Sequence, residues 1–280
     1  MPFLRIAGLT ALAMLAFAAN SLLCRLALRD GHIDAASFTA LRVCSGALML
    51  WLLLRLRGGG NGATHGSWPS ALALFVYAAG FSFAYLSLSA ATGALLLFGA
   101  VQATMIGYGL WHREHLNRLQ STGLVLAAAG LVALVLPGLS APPLVGSLLM
   151  TLAGVAWGIY SLRGRGGSDP AASTAGNFAR AAPMALALSA FTLSHAQTDM
   201  AGIAYALASG ALASGIGYVI WYMAMPQLRA ASAASVQLSV PVIAALGGVL
   251  FLGEAITPRL VYSSIAILGG IALVITGRRR

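Results

Sequence analysis

Ten apolar segments, each close to the roughly 20 residues that a helix needs to cross the bilayer hydrocarbon, run through the 280 residues of this chain. They span 4–28, 36–56, 68–87, 92–111, 119–136, 143–162, 173–194, 200–225, 230–252 and 258–276. Backbone amides in lipid find no water, so a spanning segment must be a helix or part of a closed barrel. Continuous apolar runs without period-two alternation exclude the barrel strands. The fold class is an all-α polytopic membrane protein. With 59% hydrophobic and only 8% charged residues, against the roughly 25% charged residues of soluble domains, the composition excludes a soluble domain. A second reading of the start remains open: Arg5, an apolar run and the small residues Ala16 to Ala18 also fit a signal peptide and its cleavage site.

Sixteen basic residues, all Arg, give a net charge of +10. They are scattered between apolar segments, which excludes a nucleic-acid surface and fits the positive-inside rule. With the N-terminus in the cytoplasm, the inner face collects Arg5, Arg55, Arg57, Arg113, Arg118, Arg163, Arg165, Arg229 and Arg278 to Arg280, and the outer face only Arg29 and Arg259. Both termini are then cytoplasmic. Cys24 and Cys44 lie in apolar segments and support neither a disulfide framework nor a metal site. His112 and His115 have helical spacing, yet lack the His-Glu-x-x-His pattern of a zinc enzyme, so a polar belt at the inner interface is the expectation. No metal and no cofactor is expected.

Slid against itself by 140 residues, the chain matches without a gap: Phe38 falls on Phe178, Leu88 on Leu228, Ala90 and Ala91 on Ala230 and Ala231, Gly107 on Gly247, Leu110 on Leu250, Glu114 on Glu254, Gly130 on Gly270. A coincident Glu carries the most weight, because the chain has only six acidic residues. The organisation expected is two five-helix repeats, 1–140 and 141–280. Five spans is an odd number, so the second copy enters the membrane inverted, the architecture on which many secondary transporters build alternating access. Glu114 and Glu254 each precede the last helix of a repeat, where the positive helix end favours a carboxylate. Both are expected to be structural helix-end residues.

The stretch "LFLGEAITPRLVYSSIAILGGIALVI" resembles the closing signature of the EamA-type branch of the drug/metabolite transporter superfamily, and "WYMAMPQLRAASAASVQLSVPVIAALGGV" resembles the helix pair before it. Asn20, Arg25, Leu41 and Arg42 match positions where that family often carries a polar residue and arginines, and "AWGIYSLRGR" resembles the matching helix of the second repeat. "GFSFAYLSLSAATGALLLFGAVQATMIGYGLWHRE" looks most like the YddG-type exporters of aromatic amino acids. The resemblance implies a ten-helix carrier. Departures include Phe17 and Ala18 where the family usually has Trp-Gly, Val101 against Pro241, and Arg113 against Gly253.

Residues with work to do at membrane depth must face protein or water. Asn20, Gln102 and Gln237 lie far from the ends of their spans, as do Tyr77, Phe81, Tyr85, Phe98, Trp157, Tyr160, Tyr218 and Trp221. Together they suit a midplane cavity for a planar, partly apolar solute held by stacking and a few hydrogen bonds. For any one aromatic, core packing is the competing reading. Gly99, Gly107, Pro241 and Gly247 mark spans four and nine as candidate gates, since proline kinks a helix and small residues permit bending or close contact.

The carboxylates argue by position. Asp30, Asp34, Asp169 and Asp199 fall in loops and both Glu near span ends, which leaves no buried proton relay for a cationic drug and favours a neutral or zwitterionic solute. Arg25, Arg42 and Arg180 stand within one or two turns of span ends, where snorkelling or pairing, Arg25 with Asp30 or Asp34, is expected. The function expected is a secondary transporter exporting amino acids, aromatic ones first, as a monomer in the bacterial cytoplasmic membrane. Export of another metabolite or a drug is the alternative. A membrane enzyme lacks a recognisable motif, and a scaffold would tolerate mutation of the cavity side chains.

Overall fold

The computed structural model describes residues 2–57, 65–113, 116–136, 138, 141–164, 169–224, 228 and 236–277. Among them run ten helices: α1 (Pro2–Arg29), α2 (Ala35–Leu56), α3 (Trp68–Tyr85), α4 (Ala90–Trp111), α5 (Arg118–Val135), α6 (Leu144–Arg163), α7 (Pro170–Phe191), α8 (Met200–Ala224), α9 (Ser239–Leu252) and α10 (Pro258–Gly277). Eight are long and apolar enough to cross a membrane by length and composition; α9 is a shorter apolar helix, and α7 carries Asn177 and Arg180. Large apolar side chains such as Leu4, Val132, Leu148, Leu250 and Tyr262 point outward, as they must where the solvent is lipid.

Polar residues at the chain reversals start the helices. Side chains of Asp34, Ser67, Ser89, Asp169 and Asp199 accept hydrogen bonds from first-turn amides of α2, α3, α4, α7 and α8. Asn117 and Gln120 form a reciprocal capping box on α5. Capping at Asp169 starts α7 three residues ahead of the expected 173, and the helix gives way at Phe191 to a short 3-10 turn, Leu193–His195.

Packing follows a two-fold pattern. α5 lies along α10, α2 along α7 and α4 along α9; α3 meets α6 as α8 meets α1, α4 meets α6 as α9 meets α1, and α3 meets α7 as α8 meets α2. Exchanging each helix for the one five places on maps these pairs onto themselves. Close backbone approach holds the α5–α10 pair: a Cβ at Gly123 or at Gly270 would lie 2.5 Å from the other's carbonyl oxygen.

Two expectations about the helices change. Pro241 stands in the first turn of α9, which begins at Ser239 directly after a turn at Leu238, and there the missing N–H has no intrahelical acceptor to lose. α8 is not uniformly α-helical: Ala208–Ile216 is wound as a π-helix. The wider turn brings Ser209 and Gly210 onto α1 and α2.

Candidate functional site

At the centre of the bundle α2 buries a guanidinium. Arg42 is 2% exposed. Its Nη2 donates to the Tyr77 hydroxyl at 2.7 Å, and its Cζ sits 5.1 Å from the Tyr77 ring centroid and 4.7 Å from that of Phe81. Desolvated cation–π contacts are worth about 2 kcal/mol each, which offsets part of the several kcal/mol that burying an ion costs. Nη1, equally buried, meets no acceptor among the described residues. Arg42 therefore does not snorkel as expected: rings and a hydroxyl from α3 hold it inside the bundle.

The backbone beneath Arg42 is fixed by α8. A Cβ at Gly210 would collide with the Arg42 carbonyl and the Ser45 hydroxyl. In the same π-helical turn Ser209 Oγ donates to Asn20 Oδ1 at 2.6 Å, and Asn20 Nδ2 reaches the Tyr77 hydroxyl at 3.4 Å. Tyr77 thus joins α1, α2 and α3 by one oxygen.

A ladder of rings continues from Tyr77. Trp157 of α6 tilts against Tyr77 (centroids 4.8 Å, planes 45° apart) and stacks on Tyr160 (5.2 Å, 25°) and on Tyr218 of α8 (5.3 Å, 20°). Tyr218 also meets Phe17 at 5.8 Å and Phe178 at 6.0 Å, and Phe17 meets Trp221 at 6.2 Å. On α3, Phe81 packs between Tyr77 (5.5 Å) and Tyr85 (4.8 Å). Most of these rings are buried; Phe17 and Trp157 are only half-buried. A polar relay flanks the ladder: Asn177 Nδ2 donates to the Tyr160 hydroxyl at 3.4 Å, that hydroxyl donates to Thr174 Oγ1 at 3.4 Å, and Thr174 lies 3.0 Å from the Tyr222 hydroxyl.

Of the residues expected at the site, Asn20, Tyr77, Phe81, Tyr85, Trp157, Tyr160, Tyr218 and Trp221 fall in this connected cluster. Phe98 and Gln102 are buried on α4 and Gln237 is half-buried just ahead of α9; the ring and hydrogen-bond network does not include them. Arg42, Ser209, Thr174, Asn177 and Phe178 belong to the cluster and were not singled out as site residues. Phe178 carried a signal, its match with Phe38 at the repeat offset; Ser209 needed the π turn, which periodicity does not reveal.

One end of the bundle is tied by charge. Arg25 pairs with Glu254 (Nε to Oε1, 3.2 Å), not with Asp30 or Asp34, and also donates to the Tyr85 and Leu86 carbonyls. Glu254 Oε2 accepts from the Ala90 amide at 2.8 Å. The carboxylate thus serves the start of α4 instead of α10, because the α9–α10 link folds back over α1. Asp30 pairs with Arg29, and Asp34 caps α2 while accepting from the Gln197 amide. His32 meets Asp199 at 2.7 Å; the Gly202 amide first, then His32, hold the Asp199 carboxyl below its usual range. Arg180 donates to the carbonyls of His65 and Gly176. Glu114 lies outside the described residues.

The glycine gates divide. A Cβ at Gly247 would collide with Leu22 of α1, one at Gly99 would make ordinary contact with Ile267 at 3.6 Å, and one at Gly107 would meet nothing within 4 Å. Pro241 lines an apolar groove of about 410 Å³ between α4, α9 and α10, separate from the ring cluster.

Ten helices among the described residues, eight of them long and apolar enough to cross a membrane, enclose a buried cluster of rings, amides and one guanidinium, the build of a polytopic membrane protein. Residues 144–276 match the EamA-like transporter family. An uncharacterized protein of Pseudomonas aeruginosa is 58% identical over 278 residues, 99% of this chain and 97% of its own length. The chain belongs to the EamA-like transporter family, within the drug/metabolite transporter superfamily. A solved crystal structure covering 96% of this chain and 99% of its own superposes with a TM-score of 0.65 at 20% identity, a likeness of fold alone.

Proposed function

We propose that the protein exports aromatic amino acids, Phe, Tyr and Trp, across the bacterial cytoplasmic membrane, with both termini in the cytoplasm. Units 1–140 and 141–280 rock as inverted repeats and expose the cluster to each side in turn, about α4 and α9, where Gly247 bears on Leu22. The protein acts as a monomer, without a cofactor and without catalysis. The observation that carries the reading is the ladder Tyr77–Trp157–Tyr218, which links α3, α6 and α8 beside amide and hydroxyl groups. Aromatic faces held by opposite units suit a flat solute that inserts among them. Support for the orientation comes from the arginine bias, and support for an uncharged or anionic solute over a drug cation from Arg42.

Uptake of radiolabelled Phe, Trp, Thr and Leu into liposomes holding the purified protein, with and without a pH gradient, tests this. Saturable uptake of Phe and Trp above Thr and Leu is expected. Equal uptake of all four, or none, overturns the aromatic assignment.

A further inference from the structure

The guanidinium of Arg42 is short of an acceptor. Nη2 and two ring faces are engaged, whereas Nη1, buried inside the same cluster, meets none among the described residues. An unmatched donor on a buried charge is among the costlier defects a fold can keep. Nor do the described residues supply a counterion. Of the chain's six acidic residues, Asp30 is held by Arg29, Asp34 caps α2, Asp169 caps α7, Asp199 caps α8 and pairs with His32, and Glu254 pairs with Arg25; Glu114 lies outside the described residues. The cluster carries one positive charge surrounded by aromatic rings.

We propose that Arg42 Nη1 receives the carboxylate of an aromatic monoanion, and that the site prefers aromatic monocarboxylates to aromatic amino acids and rejects aromatic amines. This rests on the reading of the ring cluster as the transport site, and puts the aromatic carboxylate without an α-ammonium in place of the amino acid as its preferred solute. The argument is one of charge. A monocarboxylate brings one negative charge to one positive charge, and its oxygens accept from the in-plane N–H groups at the edge of a guanidinium. The ring of the same solute finds Phe81, Tyr77 and Trp157 alongside. An amino acid adds an α-ammonium, which restores a net positive charge in a site where no described carboxylate waits for it; ring faces and the Asn20 amide oxygen, already taken by Ser209, are what remain. An amine without a carboxylate places two cations together.

Isothermal titration calorimetry of the purified chain with 3-phenylpropionate, phenylalanine, 3-phenylpropanamide and phenethylamine tests the order. Phenylpropionate is expected to bind at least about tenfold more tightly than phenylalanine and than the amide, the scale of one charge-assisted hydrogen bond, with phenethylamine not binding. In Arg42→Gln phenylpropionate falls to the level of the amide, and Arg42→Lys recovers part of the difference. Should phenylalanine bind as tightly as phenylpropionate, or Arg42→Gln keep the carboxylate preference, the inference fails and export of aromatic amino acids stands. Absence of binding by every aromatic solute to the folded wild type removes the transport-site reading itself. If Arg42→Gln does not fold, the wild-type order of acid, amide and amine still decides.

Discussion

Arg25 and Glu254, 229 residues apart in the chain, meet at 3.2 Å with their side chains 14% and 11% exposed. The pair ties the end of α1 to the α9–α10 link, and through Glu254 Oε2 to the first amide of α4. One carboxylate satisfies both a part-buried cation and a helix N-terminus. A glutamate between apolar runs is retained because three elements from both halves of the chain converge on it.

Replacing Glu254 with Gln keeps one acceptor and removes the charge, so either Arg25 or Ala90 loses its partner, at a cost of about 1–2 kcal/mol. If the pair holds this end closed, the open population rises about 5- to 30-fold. Cys24, 0% exposed beside Arg25, reports it: in a Cys44→Ser background, N-ethylmaleimide should label Cys24 faster in Glu254→Gln by that factor. An unchanged labelling rate means that the pair stabilises without closing.

Gly210 and Gly107 are opposites. A Cβ at Gly210 meets the Arg42 carbonyl, whereas one at Gly107 meets open space. Gly210→Ala should cost about 1–3 kcal/mol by overpacking and displace Arg42, seen as a lower melting temperature in detergent together with weaker solute binding. Gly107→Ala should gain about 0.5–1 kcal/mol from helix propensity. A loss of transport in a stable Gly107→Ala would restore that position as a hinge.

The helices were legible because lipid permits little else: boundaries at Leu56, Trp68, Trp111, Met200, Leu252 and Pro258 follow directly from where apolar runs meet polar or turn residues. Half the cluster was legible too, since aromatics and amides at membrane depth must face protein. Arg42 was not. Distance from a span end suggests snorkelling, and only the packing of α3 against α2 turns its guanidinium inward onto Tyr77 and Phe81. Glu254 was placed at a helix end by sequence, but which helix depends on how the α9–α10 link folds over α1. The π turn at Ser209 leaves no period in the sequence, because it answers to the close approach of Gly210 to α2.

Asn177 joins the start of α3 to the ring ladder. Its Oδ1 accepts from the Ser67 amide at 2.9 Å while Nδ2 reaches the Tyr160 hydroxyl. Asn177→Ala leaves the part-buried Ser67 amide without its acceptor and takes one donor from the Tyr160 hydroxyl, which keeps Thr174, and should destabilise by about 1–3 kcal/mol. Asn177→Asp keeps the acceptor but buries a carboxylate, so it should lose less than Asn177→Ala only at a pH low enough to protonate it. Thermal melts of the two variants in detergent at neutral and acid pH check the order, and equal losses at acid pH would show that the Ser67 bond contributes nothing.

Trp157 separates packing from recognition. Half-buried, it stands between rings of α3 and α8, so that trimming it removes three aromatic contacts without opening the deepest core. Aromatic pairs are worth about 0.5–1.5 kcal/mol beyond their burial. A solute ring that takes two of these contacts should lose about tenfold in affinity in Trp157→Ala, because 1.4 kcal/mol is a factor of ten. Trp157→Phe keeps a face for stacking and should lose about threefold or less. Competition by phenylalanine and tryptophan in the liposome assay, read beside the melting temperature of each variant, distinguishes the roles. A packing residue lowers both readouts in proportion, whereas a recognition residue lowers affinity while Trp157→Phe melts near wild type.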